Sequence, residues 1–220
     1  MISPFIAAGV GLSVAFGAAL QRISGMGMGL IAAPVLSLLL GPVDGVIMVN
    51  AIAVVNAVFT SYSMRADISW KRVAPIAAAL IVGVLPGAWI ISTMSTDVLL
   101  VLVGALLLMA LSVVTLGKRY VPRVEGVWPA AVAGAVGGFM NTLAGVAGPA
   151  ITVYAQAARW DQRMYAATLQ PIFVVGGALS FLGKELTGAA DVSAIPGALW
   201  LTTLVALAAG IVVGKALAPR

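Results

Sequence analysis

The sequence predicts an all-α fold: a polytopic transmembrane helical bundle of two inverted-topology repeats, with interrupted or short helices after glycine-rich breaks. Three observations predict it. Of the 220 residues, 62% are hydrophobic and only 9% are charged, with a mean hydropathy of +1.12. No soluble domain of this length hides so much apolar surface, so its solvent is lipid. The apolar residues fall into nine segments joined by short loops. One unusual segment, polar residues followed by a glycine cluster inside a hydrophobic run, occurs twice, 120 residues apart.

The first segment covers about residues 4–20. Met1-Ile2-Ser3-Pro4 lacks a positive n-region and no small-residue cleavage site stands before Arg22, so this segment reads as retained. The second, 26–40, is short for roughly 30 Å of hydrocarbon and directly follows the first glycine cluster. Segments 45–62, 73–93 and 97–116 are long enough to span, some with tilt or interfacial ends. Segment 127–143 leads into the second cluster, after which 146–158 is again short. Segments 164–182 and 195–217 complete the chain. The lengths of 26–40 and 146–158 fit either half-helices or tilted spans. A single membrane domain over 1–220 then divides into a first repeat at 1–96, a connector helix and loop at 97–126, and a second repeat at 127–220. Five crossings separate the starts of the two repeats, an odd number, so equivalent elements run in opposite directions.

Lys and Arg set the orientation. With the N-terminus outside and every segment spanning, eleven of the 12 basic residues face the cytoplasm, and only Lys184 falls outside. The cytoplasmic set is Arg22, Arg65, Lys71, Arg72, Lys118, Arg119, Arg123, Arg159, Arg163, Lys215 and Arg220. The expectation is a multi-pass protein of the bacterial inner membrane, N-terminus outside and C-terminus cytoplasmic. Trp70, Tyr120, Trp128 and Trp160 near segment ends read as interfacial anchors, whereas Trp89 and Trp200 are less clearly placed.

Composition removes several chemistries. There are no cysteines and no histidines. Disulfides, thiolates, Cys/His zinc sites and imidazole bases are therefore excluded, and neither a metal nor a cofactor is expected. Net charge is +5, but the charge lies in short loops, so nucleic acid is not an expected partner. The glycine clusters lack the strand before them and the acidic residue after them that a dinucleotide fingerprint needs. All seven carboxylates, Asp44, Asp67, Asp97, Glu125, Asp161, Glu185 and Asp191, fall in or near loops. Proton-coupled transporters usually carry an intramembrane Asp, Glu or His, so an anion moving alone or carrying its own proton fits better.

The breaks themselves carry the functional signal. The first reads Gln21-Arg22-Ile23-Ser24-Gly25-Met26-Gly27-Met28-Gly29, and the second Asn141-Thr142-Leu143-Ala144-Gly145-Val146-Ala147-Gly148-Pro149. A helix broken in lipid leaves backbone groups unpaired unless protein or a water-filled cavity covers them. Paired breaks in matching positions point to a transporter's binding site. A helix restarting after glycine offers free N–H groups and a positive dipole end to an anion. Candidate substrate-binding residues are Gln21, Ser24, Gly25, Gly27, Gly29, Asn50, Asn141, Thr142, Gly145, Gly148 and Gln170. Asn50 and Gln170 are included because they also stand 120 apart. The competing reading is packing, since small residues let transmembrane helices approach; Gly83/Gly87, Gly134/Gly138 and Gly210/Gly214 are assigned to that role. Buried amides and hydroxyls elsewhere, such as Asn56, Gln156 and Thr168, read as interhelical hydrogen bonds.

At the two clusters the chain resembles the TauE/SafE family, the sulfite and sulfonate exporter group. Gly25-Met26-Gly27-Met28-Gly29-Leu30-Ile31-Ala32-Ala33-Pro34 is similar to the family's G-x-G-G-G-x-x-x-x-P motif, with Met28 in place of one glycine. Gly145-Val146-Ala147-Gly148-Pro149-Ala150 is similar to its G-x-G-G-P-P stretch, with Ala147 and Ala150 as departures, and Arg163 to Leu169 also looks like the family's second half. The resemblance covers nearly the whole chain. It implies a permease, not an enzyme, exporting small anions such as sulfite, an organosulfonate or a related carboxylate by alternating access at a midplane site. Its partners would be the anion, the lipid bilayer and, in a homo-oligomer, further copies of itself. The alternatives are a membrane enzyme acting on lipid-linked substrates, for which no nucleophile–base pair is evident, and a structural subunit of a membrane complex.

Overall fold

A computed structural model describes residues 3–116 and 122–217. The expected topological residues Lys118, Arg119 and Arg220, and the expected anchor Tyr120, lie outside the described residues. Among the described residues there are nine α-helices and no strand. They are α1 (Pro4–Ser24), α2 (Met28–Leu40), α3 (Pro42–Ser63), α4 (Trp70–Thr93), α5 (Thr96–Leu116), α6 (Val127–Ala144), α7 (Gly148–Ala157), α8 (Gln162–Leu186) and α9 (Gly197–Leu217).

Seven of these, all but α2 and α7, are long and apolar enough to cross a membrane. With 13 and 10 residues, α2 and α7 rise only about 20 and 15 Å at 1.5 Å per residue, well short of the roughly 30 Å hydrocarbon core. Local chemistry explains where the helices begin. Pro4 and Pro42 occupy first-turn positions, where proline's missing N–H costs nothing. Asp161 caps α8, its carboxylate accepting from the Arg163 N–H at 2.8 Å. Pro34, Pro75, Pro86 and Pro171 stand inside α2, α4 and α8, as transmembrane helices permit when neighbours cover the freed carbonyl.

Glycine stripes set the packing. In the α4–α6 pair, Gly83 abuts Ala135 and Phe139, Gly134 abuts Ile76, and Gly138 abuts Leu80, so the two helices run parallel. In the α1–α9 pair, Gly11 faces Thr202 and Ala206, Gly210 faces Ala15, and Gly214 faces Ala19, again parallel. These are the glycine pairs that the sequence assigned to packing. The partner backbone fills the space a Cβ would need. Helices α3 and α8 run antiparallel: Gly177 packs on Asn50 and Val54, while Asp67 pairs with Arg163 at 2.9 Å. Over their most apolar 18 residues, α3, α6 and α8 are 56% buried, against 17% for α5, so the first three form the centre and α5 lies at the periphery. Large apolar side chains such as Leu12, Leu38, Leu85, Val101 and Leu201 point outward, as lipid-facing positions should.

Trp70 and Trp128 stand exposed at the starts of α4 and α6, where interfacial anchors belong. Trp160 is engaged differently. The Arg72 guanidinium lies 4.9 Å from its ring centroid, and its ring meets Tyr154 edge-on at 5.8 Å. Trp89 is exposed on α4.

Candidate functional site

The two breaks have the same local geometry. Helix α1 is closed by Gly25 and α6 by Gly145, both left-handed (φ 89° and 69°). Their N–H groups donate to the carbonyls of Gln21 and Asn141 at 3.0 and 2.9 Å. An L side chain would be strained at either position, which is why glycine stands there. The chain then doubles back before the next helix begins. Met28, the first residue of α2, lies beside Gly17 of α1, and Ala147, which precedes α7, lies beside Gly137 of α6. Each short helix therefore starts partway along its predecessor, inside the bundle.

The two starts meet. Gly29 rests on the Gly145 carbonyl, and Gly148 is covered by the Met26 side chain. Neither start has a side-chain cap. The first helical bond of α2 runs from Ile31 N–H to the Gly27 carbonyl at 3.0 Å, so the N–H groups of Met28, Gly29 and Leu30 have no partner within the helix. Pro149 has no N–H to offer in α7, and Thr152 returns its hydroxyl to the Gly148 carbonyl at 2.7 Å. Two positive dipole ends thus converge from opposing helices.

Between them lies a narrow cavity of about 30 Å³, room for a water-sized occupant. Among the sequence candidates, Gln21, Gly27, Gly29, Asn50, Asn141, Gly145 and Gly148 line it. Asn50 is 1% exposed, and its Nδ2 has no hydrogen-bond partner. Asn141 lines the same cavity but donates its Nδ2 to Ser180 Oγ at 3.0 Å. No lining residue carries a charge.

Four candidates sit elsewhere. The Ser24 hydroxyl is within reach of the Leu20 and Met26 carbonyls, at 2.9 and 2.6 Å, and borders a wider vestibule. Gly25 packs on Ala166 and Tyr165. Thr142 is fully buried behind the cavity, bonded to the Gly138 carbonyl at 2.9 Å and to Ser180 at 3.0 Å. Gln170 braces the first break from α8. Its Nε2 donates to the carbonyls of Gly25 (3.0 Å) and Ala166 (2.8 Å), while its Oε1 accepts from Gln21 Nε2 (3.0 Å).

Met26, Phe173 and Gly177 line the cavity without having been singled out in the sequence. The latter two share a helical face with Gln170, a spacing that the sequence does contain. The vestibule, about 500 Å³, shares Met26, Gly27 and Leu30 with the cavity and opens past Gln156, Trp160, Gln162 and Tyr165. Met26 stands where the two spaces join. Thr152, whose hydroxyl is 2.6 Å from that of Tyr165, approaches the Met26 sulfur at 3.7 Å.

Seven apolar spans, two short helices starting inside the bundle and an uncharged cavity between those starts define a class: a multi-pass integral membrane protein built like a transporter. Sequence comparison gives the family. The family described as Sulfite exporter TauE/SafE matches residues 10–220, and the chain belongs to this family of membrane transporters. No curated protein and no solved structure matches the chain.

Proposed function

We propose that this protein is a permease for small oxyanions, sulfite or an organosulfonate or related carboxylate, working in export from the cell. The observation that carries the reading is the meeting of two uncapped helix N-termini at one cavity beside the unpartnered Asn50 amide. Backbone N–H groups, two dipole ends and a neutral amide suit a small anion and offer little to a cation. The absence of charge on the lining lets a bound anion leave again without breaking a salt bridge.

The cycle would rock repeat 1–96 against repeat 127–220 around this site, with 97–126 as the connector. Matching break geometry at Gly25 and Gly145, and the corresponding parallel pairs α1–α9 and α6–α4, support that division. With the N-terminus outside, the vestibule beside Gln156 and Gln162 faces the cytoplasm, so this arrangement is open inward, and the central cavity must widen to admit an oxyanion. An enzymatic role finds no support at the cavity, whose lining holds no nucleophile paired with a base. The deciding experiment is flux of labelled sulfite, methanesulfonate and acetate in proteoliposomes, preceded by a thermal-shift screen with the same anions. Saturable flux of at least one anion is expected. Neither stabilisation nor flux with any of them would remove the proposal.

A further inference from the structure

Lys184 is the one basic residue that the orientation pattern leaves on the outer side, and none of its surface is exposed. Its Nζ has no hydrogen-bond partner. Neither the Arg123–Glu125 nor the Arg163–Asp67 ion pair involves Lys184. The acidic residues nearest in sequence are already engaged. Glu185 Oε1 accepts from the Val192 N–H at 2.8 Å. Asp191 accepts from the hydroxyl and N–H of Ser193 at 2.6 and 2.8 Å, bonds that hold its carboxyl below the usual range. The C-terminal end of α8 favours a cation electrostatically, which helps the side chain reside there but supplies no acceptor. A buried lysine without a partner is costly as an ammonium, so it either sheds its proton or takes an anionic occupant.

Its position says which occupant. Gln170, Phe173, Gly177, Ser180 and Lys184 are spaced alternately by three and four, so they share one face of α8. Phe173 and Gly177 line the central cavity. Ser180 is bonded to Asn141, itself a lining residue. Lys184 lies one turn beyond Ser180, about 10 Å along the helix from Gly177 at 1.5 Å per residue. Asn141, Ser180 and Lys184 therefore succeed one another from the cavity, away from the vestibule, to a buried lysine without a partner.

We infer that Lys184 is a second anion-binding residue, on the outward branch of the path. The ammonium receives the small oxyanion as it leaves the central cavity and holds it before release outside. This rests on the permease reading above. The test uses the full chain in proteoliposomes with labelled sulfite, comparing the wild type with Lys184→Met and Lys184→Arg. Methionine keeps an apolar stem of similar length without the charge, and arginine keeps the charge.

The expected result is a Lys184→Met protein with unchanged or raised Tm, sulfite flux at least tenfold lower and a higher KM for sulfite presented from the outer face. Lys184→Arg should recover a substantial part of the flux. Wild-type flux and KM in Lys184→Met would overturn the inference and leave the permease reading intact. Loss of Tm in parallel with flux in both variants would also overturn it, by making Lys184 a structural group. Failure of the wild type to bind or move any anion of the panel would remove the permease reading, and this inference with it.

Discussion

Gln21 of α1 donates through Nε2 to Oε1 of Gln170 on α8, at 3.0 Å and with both side chains buried. Gln170 in turn donates to the Gly25 carbonyl at 3.0 Å. The amide pair thus fastens the first break to a helix 145 residues further along the chain. Removing one partner of a buried network leaves the others unsatisfied, at about 1–3 kcal/mol each. Gln170→Ala should therefore lower stability by about 2 kcal/mol or more and loosen the break. Gln170→Glu, which also loses its donor, should do no better. Thermal unfolding in detergent reads this out, and a Gln170→Ala protein with wild-type Tm would show that the pair holds nothing.

The unpartnered Nδ2 of Asn50 is expected to contact the anion directly. A hydrogen bond to a charged group contributes about 1.5–3 kcal/mol, so Asn50→Ala should weaken anion binding by roughly tenfold or more. Asn50→Asp should abolish binding, because it sets a carboxylate against the ligand. Calorimetric titration with sulfite measures both. An Asn50→Asp protein that binds sulfite as the wild type does would place the anion elsewhere.

The two breaks should respond differently to an added methyl group. At Gly148 a Cβ would meet the Met26 sulfur at 3.1 Å, and that flexible side chain can yield. Gly148→Ala should fold with little change in Tm while narrowing the cavity and slowing flux. At Gly29 a Cβ would press on the Gly145 carbonyl. Gly29→Ala should lose about 1–3 kcal/mol of stability together with flux, as overpacking does. Gly27 is no cleaner a probe, since its Cβ would lie 2.5 Å from the Gln21 nitrogen. Parallel Tm and flux measurements on Gly148→Ala and Gly29→Ala decide the matter; equal stability losses would contradict the geometry.

Transport is expected to be electrogenic and independent of a proton gradient. No carboxylate or other charged group lines the cavity, and export of a monovalent anion gains about 2.3 kcal/mol per 100 mV of inside-negative potential, roughly 50-fold. Flux in proteoliposomes, with potential and pH gradient imposed separately, should follow the potential. Flux that follows the pH gradient at zero potential, for an anion that does not titrate in that range, would mean that the protein carries a proton, with Lys184 as the buried ionisable group to examine first.

Orientation gives a prediction free of the substrate question. The cysteine-free chain allows a single cysteine to be added after Arg220. It should be labelled only from the cytoplasmic side. Labelling from outside would invert the assignment and turn the vestibule toward the exterior.

The membrane class, the number and approximate limits of the helices and the location of both breaks are legible in the sequence because they depend on local properties. Hydropathy over about twenty residues defines a span. A run such as Gly25-Met26-Gly27-Met28-Gly29 announces a backbone that must turn where side chains would obstruct it. The role of Gly83, Gly134 and Gly210 in helix contact is readable for the same reason: four-residue spacing makes a flat stripe on one face.

Tertiary structure alone decided which polar residues share a space. Asn50 and Gln170 look equivalent in sequence, 120 residues apart, yet Asn50 keeps a free donor at the cavity while Gln170 spends its amide bracing Gly25. Thr142 and Asn141 adjoin in the chain and both bond Ser180, yet only Asn141 also lines the cavity. Lys184 counted in the sequence only as the exception to a charge pattern, and its full burial without a partner emerges only when α8 is packed among its neighbours. A one-dimensional pattern records what each residue can bond. Whether that capacity is met within the protein or left open for a ligand depends on contacts between segments far apart in the chain.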